Sequence, residues 1–233
     1  MTEPISREGM AVLYASLDVD EAFETGRAEL LERIAGFDAL VVRSRTRVDR
    51  EVLERAERLR VVGRAGVGVD NIDIPLATSR GVMVVNAPES NVVSAAEHTL
   101  AFMLALARNL PGADRELRSG IWPTAKPRGV ELLGKTLGVV GLGRVGSAVA
   151  VRASAFGMDV VAYDPYISDD RFRNFGAEKM DTLDSLLERS DYVSVHTPRT
   201  DETYGMIGER ELRLAPEGVR IINCARGGIV VED

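Results

Sequence analysis

The sequence predicts an α/β protein in which parallel strands alternate with helices. Short apolar runs of about four or five residues, bounded by glycine or polar residues, recur along the chain and are typical of buried parallel strands. Segments with apolar residues three or four apart lie between these runs and indicate helices. With 233 residues, 45% of them hydrophobic, the chain is long enough for two modest domains. We predict domains over residues 1–88 and 89–233.

The first predicted domain alternates strand and helix from its beginning. Residues 2–6 predict a loop, Ser6 is a candidate helix start, and residues 11–14 fit either a helix end or a strand. The later elements are, in order, a helix over 20–34, a strand over 39–42, a helix from Asp49 to about residue 58, a strand over 60–63, a helix over 74–79 and a strand over 82–85.

The second predicted domain begins with a long helix over residues 92–109. This helix is apolar nearly all round, which predicts burial on more than one side, between domains or between subunits. Residues 120–129, with two prolines and Trp122, predict a loop. The remaining elements are a strand over 137–140, a helix over 145–156, a strand over 159–163, a helix over 183–188 and strands over 192–196 and 220–222.

The stretch over residues 135–164 carries the most specific functional pattern. A complete G-x-G-x-x-G, formed by Gly141, Gly143 and Gly146, leaves one predicted strand and opens a helix, and Asp164 ends the next strand. Within a βαβ unit this pattern predicts a dinucleotide site. The first glycine allows the tight turn, the second lets the pyrophosphate approach the backbone, and the third lets the helix pack on the sheet. The helix N-terminus attracts phosphate.

Asp164 favours NAD over NADP. A carboxylate at the tip of this strand accepts hydrogen bonds from the ribose hydroxyls and repels a 2′-phosphate. Pro165 and Tyr166 follow, so no basic residue directly after Asp164 compensates its charge.

Polar residues at other strand ends complete the candidate site, because ligands of open α/β sheets bind beyond the carboxyl ends of the strands. This rule selects residues 43–44, 66–68, 196–198 and 223–228. Arg226 and Arg43 each suit an anionic group, and the alternative for each is a surface salt bridge. We expect His98 to be a hydrogen-bonded packing residue, and His196 either a structural cap or part of the cofactor site. Neither obviously supplies the acid–base group of a hydride transfer.

Composition excludes several classes of function. The net charge is −7 with no basic run, which argues against nucleic acid or an anionic membrane as a partner. Cys224 is the only cysteine, so it forms no internal disulfide, and we interpret it as a small buried residue. We see no signal peptide, transmembrane segment or metal site in the sequence, and we expect a cytoplasmic protein.

Longer matches show a resemblance to a known family. They include DALVVRSRTRV at 38–48, GRAGVGVDNID at 63–73, the segment at 84–111, GKTLGVVGLGRVGSAVA at 134–150, SVHTP at 194–198 and NCARGGIV at 223–230. The chain resembles the D-isomer-specific 2-hydroxyacid dehydrogenases. The resemblance implies a Rossmann-type NAD-binding domain and a smaller flavodoxin-like substrate domain, both incomplete in this sequence. The stretches at 63–73 and 84–98 favour the branch that oxidises 3-phosphoglycerate to 3-phosphohydroxypyruvate in serine biosynthesis.

The resemblance also implies roles for individual residues. Arg226 matches the catalytic arginine that holds the substrate carboxylate and carbonyl. The substrate-binding positions are Arg43, Ser44, Val67 and Gly68. The cofactor-binding positions are Gly141, Gly143, Arg144, Val145, Gly146, Asp164, His196, Thr197, Pro198, Cys224 and Ala225.

The family's catalytic glutamate and histidine lie downstream of the ARGG motif, beyond Asp233. The family's first strand, which precedes residues 3–6, and the aromatic residue that relatives carry between Trp122 and Glu131 are also missing. We therefore interpret the sequence as a fragment that is inactive as given, and expect a homo-oligomer at full length with an anionic 2-hydroxy acid as substrate. Two alternatives stay open: a dehydrogenase for glyoxylate, hydroxypyruvate or another 2-hydroxy acid, and a non-catalytic NAD-binding protein.

Overall fold

The computed structural model describes residues 1–122 and 129–232. The chain forms two compact units, Met1–Asn91 and Val92–Asp233. One unit is built on a sheet of three strands and the other on a sheet of five, and every strand pair in both sheets is parallel. The predicted α/β class is confirmed.

The first unit contains four helices and three strands among its described residues. In chain order they are α1 (Arg7–Tyr14), α2 (Arg27–Arg33), β1 (Ala39–Val42), α3 (Arg50–Arg55), β2 (Val61–Arg64), α4 (Ile74–Ser79) and β3 (Met83–Asn86). The strands lie side by side in the order β1-β2-β3. Their inward side chains pack with α3 around Val42, Leu53 and Val62, which are all fully buried. The carboxyl ends of β1 and β2 therefore lie next to each other.

The predicted helix over residues 20–34 is wrong in its first half. Only Arg27–Arg33 is α-helical, followed by a short 3₁₀ turn over Ile34–Gly36. The N-terminal ammonium of Met1 donates to the carbonyl of Asp20 at 2.6 Å, and the amide of Ala22 donates to the carbonyl of Met1 at 2.8 Å. The backbone of this stretch is thus paired with the chain start, and Gly26 begins the helix in an extended conformation.

Among its described residues, the second unit is built around a five-stranded sheet. Its elements are α5 (Val92–Arg108), α6 (Leu110–Arg118), β4 (Thr136–Val140), α7 (Arg144–Ala155), β5 (Asp159–Tyr163), α8 (Asp169–Asn174), β6 (Glu178–Lys179), α9 (Leu183–Arg189), β7 (Tyr192–Val195), α10 (Glu209–Leu212) and β8 (Arg220–Asn223). The strand order is β6-β5-β4-β7-β8. The chain therefore adds β5 and β6 on one side of β4 and then crosses to the other side, where it adds β7 and β8.

Helices cover both faces of this sheet. Met103 of α5 and Val149 of α7 are fully buried with Val139 in one apolar cluster. Leu186 of α9 is buried with Val140 in a second cluster. The α9 layer lies so close to β4 that a Cβ at Gly138 would overlap the side chains of Ser190 and Leu186. A residue larger than glycine at position 138 would therefore displace neighbouring atoms. The same holds at position 146, on α7.

Within this chain α5 is buried along one face, and its predicted burial on a further side, between domains or between subunits, stays a prediction. The buried residues are Ala96, Thr99, Leu100, Met103 and Ala107, and their spacing of three or four residues marks one helical face. Val93, Phe102 and Leu106 are exposed. Asn109, at φ +52°, ends α5, and α6 begins directly after it with a proline in its first turn.

The sequence missed α6, α8, α10 and the two-residue strand β6. These elements are short and carry few apolar residues, so they lack the periodic pattern on which sequence-based assignment depends. The predicted strands lie within one residue of the observed ones. Most of the predicted loop over residues 120–129, and the position where relatives carry an aromatic residue, lie outside the described residues.

Candidate functional site

The strand order of the second unit defines where a ligand is expected. β5 and β7 flank β4 on opposite sides, so the chain reverses its direction of sheet growth between β4 and β7. In open parallel sheets such a reversal opens a crevice beyond the carboxyl ends of the two strands. Gly141 follows β4 and His196 follows β7, and the His196 amide donates to the Val140 carbonyl at 2.8 Å. The two predicted segments therefore meet at this crevice.

In the glycine loop after β4, two of the three glycines are closely surrounded by other protein atoms. Gly141 has φ +88°, and a Cβ on it would lie 3.1 Å from the His196 carbonyl oxygen. A Cβ on Gly146 would overlap the carbonyl oxygen of Gly141 and lie 3.2 Å from Val139 Cγ1. These two glycines allow the turn and the approach of α7 to the strand.

Gly143 differs from the other two glycines because nothing within 4 Å would touch a Cβ placed on it. It is the N-cap of α7, has extended φ and ψ angles of −70° and −155°, and has no side chain to cap the helix. Arg144 and Val145 form the first turn. The α7 N-terminus therefore presents its N–H groups and positive dipole end to open space, an arrangement that suits a phosphate group.

Asp164 lies beside this loop at the end of β5. Its Oδ2 accepts a hydrogen bond from the Leu142 amide at 2.9 Å, and its Oδ1 accepts one from the Tyr166 amide at 3.0 Å. The half-buried carboxylate thus ties the glycine loop to the neighbouring strand end. Each oxygen keeps acceptor capacity for a further hydrogen bond, as recognition of ribose hydroxyls requires.

His196 is held as a neutral imidazole at the end of β7. The buried hydroxyl of Ser194 and His196 Nε2 lie 2.7 Å apart in a hydrogen bond. Burial lowers the pKa of His196 to about 4 from its ordinary 6.5. The residue as a whole is half-buried. A histidine with this pKa is uncharged at neutral pH and does not take up a proton readily.

Thr197 supplies a second polar group at the crevice. Its Oγ1 is buried and has no hydrogen-bond partner among the residues that the structure describes. Burying a hydroxyl without a hydrogen-bond partner destabilises the folded protein, so this atom is a candidate for contact with a ligand. The next residue, Pro198, is exposed, and its carbonyl accepts the hydroxyl of Thr203 at 2.6 Å. The orphaned Thr197 hydroxyl and the open space at Gly143 both fit a bound dinucleotide.

The loop after β8 is shaped by Asn223. Its Oδ1 accepts the Ala225 amide at 3.1 Å, and its Nδ2 donates to the Arg226 carbonyl at 2.9 Å. Arg226 is half-buried, and its Nη1 donates to the Ala225 carbonyl at 2.8 Å. Cys224 packs against the apolar cluster around Val139, but it is half-buried rather than buried as expected. The guanidinium is therefore presented from a turn closed by a side-chain amide.

In the first unit, the predicted substrate-binding residues follow the adjacent strands β1 and β2. Arg43 and Ser44 are exposed, and Arg43 Nη1 lies 3.5 Å from the carbonyl oxygen of Pro4. Val67 and Gly68 are half-buried, and the Val67 carbonyl accepts Asn86 Nδ2 at 2.6 Å. All four residues thus lie at one edge of the three-stranded sheet.

His98, which we expected to be a hydrogen-bonded packing residue, is exposed on α5 and packs its ring edge-on against Phe102 with centroids 4.4 Å apart. The sequence also missed Ser194 and Asn223 as residues that orient functional groups. Asn223 had a usable signal, since an asparagine at a strand end often closes a turn two residues on. Ser194 had none, because an inward serine resembles any core position.

The described ranges show neither a metal site nor a membrane-spanning helix. Residues 1–122 and 129–232 contain no group of three or more His, Cys, Asp and Glu side chains arranged to hold a metal ion. No helix in these ranges combines the length and apolar character needed to cross a bilayer.

Comparison with known proteins gives consistent matches. Residues 100–233 match the NAD binding domain of the D-isomer specific 2-hydroxyacid dehydrogenases. A D-3-phosphoglycerate dehydrogenase of Mycobacterium tuberculosis is 53% identical over 232 residues, which are 100% of this chain and 44% of that protein. The chain thus spans less than half the length of the curated relatives it matches.

Solved structures agree with this match. A Thermus thermophilus protein is 34% identical with a TM-score of 0.88, covering 99% of this chain and 74% of its own. An Aquifex aeolicus D-lactate dehydrogenase, solved with NAD and lactic acid, is 31% identical with a TM-score of 0.86, covering 97% of this chain and 68% of its own.

Proposed function

The chain belongs to the D-isomer specific 2-hydroxyacid dehydrogenase family, and we propose that it is part of an NAD-dependent oxidoreductase acting on the CH–OH group of 3-phosphoglycerate. The product is 3-phosphohydroxypyruvate. Relatives that match the whole chain at 46–53% identity are named D-3-phosphoglycerate dehydrogenase, which supports this substrate.

One observation carries the cofactor part of the proposal. The glycine loop is closely packed at Gly141 and Gly146 but open at Gly143, where the pyrophosphate is expected to approach the backbone. In this proposal the α7 N-terminus with Arg144 and Val145 binds the pyrophosphate, and Asp164 binds the ribose. Residues at the ends of β7 and β8 line the rest of the cofactor site, namely His196, Thr197, Pro198, Cys224 and Ala225.

The chemistry of the proposal is hydride transfer. When bound, NAD would accept the hydride from C2 of the hydroxy acid, and the hydroxyl proton would pass to a general base, which in this proposal is neither His98 nor His196. Arg226 presents a planar, permanently charged guanidinium that binds a carboxylate in a bidentate manner and polarises the developing carbonyl. In the first unit, Arg43 and Ser44 with the backbone at Val67 and Gly68 bind the anionic substrate.

Neither histidine is the acid–base group in this proposal. His196 is neutral and bonded to Ser194, and His98 is exposed on α5 against Phe102. Since a positioned general base contributes about 10²- to 10⁴-fold to rate, we expect the 233-residue polypeptide by itself to bind NAD with little or no turnover. A cytoplasmic location and a homo-oligomeric state stay predictions.

The substitution Gly143→Ala tests the cofactor site. A methyl group at this position touches no protein atom, but alanine is a poorer N-cap than glycine, so the free energy of unfolding should fall by no more than about 1 kcal/mol. The methyl group occupies the space proposed for the pyrophosphate, so we expect NAD affinity to fall at least about tenfold, as loss of one or more charge-assisted hydrogen bonds implies. Calorimetric titration of the chain with NAD measures this loss. Unchanged affinity would contradict the proposed site.

Substrate panels separate the enzyme alternatives. A polypeptide of the relatives' length that oxidises 3-phosphoglycerate at least tenfold more efficiently than other 2-hydroxy acids supports the proposal. Preference for glyoxylate or hydroxypyruvate, assayed by reduction with NADH, moves the substrate assignment to that alternative. NAD binding without turnover on any 2-hydroxy acid supports the non-catalytic alternative instead.

A further inference from the structure

The chain start contributes a buried carboxylate to the loop after β1. Glu3 is only 4% exposed. Its Oε1 accepts the amides of Arg43 at 2.8 Å and Thr46 at 3.1 Å, and its Oε2 accepts the amide of Arg45 at 3.2 Å. One side chain thus binds three of the four backbone N–H groups of residues 43–46, here called the β1 loop.

Charge is essential to this arrangement. Burial raises the pKa of Glu3, but the backbone amides of Thr46, Arg43 and Arg45, together with the Thr46 side chain, outweigh it and hold the pKa below its ordinary value. The Arg45 guanidinium Nε lies 3.6 Å from Oε2 and forms an ion pair with Glu3. Because a buried carboxylate is costly unless its lone pairs are used, its retention here depends on the β1 loop keeping this conformation.

Asn71 holds the same loop from its carbonyl side. Its Nδ2 donates to the carbonyls of Arg43 at 2.8 Å and Thr46 at 2.6 Å. Its own carbonyl accepts the Val48 amide at 2.8 Å, which anchors Asn71 just past the loop. The Thr2 hydroxyl adds a hydrogen bond to the Thr46 hydroxyl at 2.8 Å. Both ends of the β1 loop are therefore fixed by side chains distant in sequence.

We propose that Glu3 and Asn71 are positioning residues that preorganise the β1 loop so that Arg43 and Ser44 bind the anionic group of the substrate. This inference rests on the proposed function, in which those two residues contact substrate. Arg43 and Ser44 are exposed and lie between β1 and α3, outside any helix or strand, so no regular backbone hydrogen bonding of their own fixes them. Fixing the loop beforehand removes the cost of ordering it on binding.

The substitution Glu3→Gln keeps the size of the side chain and removes its charge. The amide oxygen still accepts from Arg43 and Thr46, but the amide nitrogen faces the N–H of Arg45, where two donors meet. Asn71→Ala is the second variant, because it frees two loop carbonyls and leaves Glu3 intact. Glu24→Gln is the matched control, since Glu24 is an exposed carboxylate in the same unit.

The experiment measures two quantities on each folded variant of the chain. Hydrogen exchange followed by NMR reports protection of the amides of Arg43, Arg45 and Thr46, and titration with 3-phosphoglycerate reports anion affinity. We expect protection and affinity each to fall about tenfold in Glu3→Gln and Asn71→Ala, the effect of one lost charged or buried hydrogen bond. The NAD affinity of these variants and all properties of Glu24→Gln should match wild type.

Other outcomes overturn the inference in distinguishable ways. If exchange accelerates while 3-phosphoglycerate binds as tightly as in wild type, the two residues have only a structural role. If both quantities are unchanged, they do not hold the loop. If the wild-type chain binds no 2-hydroxy acid, the proposed substrate role of the first unit fails as well, whereas wild-type binding with unaffected variants contradicts this inference alone.

Discussion

Asp164 combines a structural and a proposed binding role in a single residue. Its two oxygens hold the amides of Leu142 and Tyr166, so the carboxylate that is expected to bind ribose also sets the glycine loop. Tyr166 in turn hydrogen-bonds Glu202 through its hydroxyl. A change at Asp164 therefore affects both the charge at the site and the position of the loop.

We predict that Asp164→Asn weakens NAD binding about tenfold or more, because it removes the charge and turns one amide donor towards a backbone N–H. NADP binding should change much less, since the repulsion of the 2′-phosphate disappears. Parallel titrations with NAD and NADP measure the change in preference. Glu188→Gln, an exposed carboxylate on α9, is the control, and an unchanged NAD:NADP ratio in Asp164→Asn would count against the ribose role.

His196 makes stability depend on pH. Its pKa is about 4 in the folded protein against an ordinary 6.5, so the unfolded chain binds the proton more tightly. The stabilisation is fully present above pH 6.5 and is lost as the pH falls towards 4. Protonation of His196 thus favours unfolding in acid.

We predict that His196→Gln removes this pH dependence. The free energy of unfolding of wild type, minus that of the variant, should fall by about 2–3 kcal/mol between about pH 7 and pH 4.5. Urea unfolding at several pH values measures it. His98→Gln is a matched control at the only other histidine, which is exposed, and should follow wild type. A constant difference for His196→Gln across this range would mean that the ring is not buried as described.

At the scale of elements, α7 depends on its close contact with the turn after β4. The chain leaves the strand through Gly141 and enters the helix at Arg144, and the carbonyl oxygen of Gly141 lies against the helix at Gly146. Alanine inside a helix is ordinarily favoured over glycine by about 0.5–1 kcal/mol. Here the added methyl group overlaps backbone, so the steric effect opposes and exceeds that preference.

We predict that Gly146→Ala destabilises the protein by about 1–3 kcal/mol, the usual effect of overpacking. It should also weaken NAD binding, because α7 must move away from the loop. Urea unfolding and NAD titration, compared with Gly143→Ala, measure both effects. The comparison separates crowding between helix and strand from occupation of the ligand space, and equal stability of the two variants would contradict the described packing.

The strands were predictable from sequence and several helices were not. Buried parallel strands such as β4 are continuous apolar runs bounded by glycine, and this pattern identifies them within one residue. The first half of the helix predicted over residues 20–34 failed because the backbone of Asp20 and Ala22 pairs with Met1. Such pairing between segments distant in sequence leaves no periodic pattern.

At the scale of the whole molecule, α5 leaves an apolar face without cover in the single chain. Phe102 and Leu106, four residues apart on one side of the helix, are each 47% exposed. Adjacent exposed apolar side chains of this kind can mark an interaction site. It agrees with the homo-oligomer that we expect from the sequence.

We predict that Phe102→Glu lowers the oligomeric state of the protein, because a carboxylate is costly to bury in an apolar interface. Light scattering after size-exclusion chromatography measures the mass. Val12→Glu, at a 72% exposed position on α1, is the matched control and should leave the mass unchanged. If wild type is already a monomer, or if both variants keep the wild-type mass, the α5 face is not the interface.

The sequence by itself determined the α/β class, the strands, the glycine loop and the identity of the carboxylate beside it. These features depend on residue type and short spacing, since a buried strand needs an apolar run and a tight turn needs glycine. Gly141, Gly143, Gly146 and Asp164 could all be named because they lie within one βαβ unit of about thirty residues.

Only the tertiary structure decided which groups support the candidate site. Ser194 forms a hydrogen bond with His196, and Asn223 closes the turn that presents Arg226. Glu3 lies forty residues from the loop that it holds. The one-sided burial of α5 likewise depends on what packs against it. The physical reason is that hydrogen bonds and burial are formed between side chains that folding brings together, whereas sequence patterns record only what neighbouring residues require of each other.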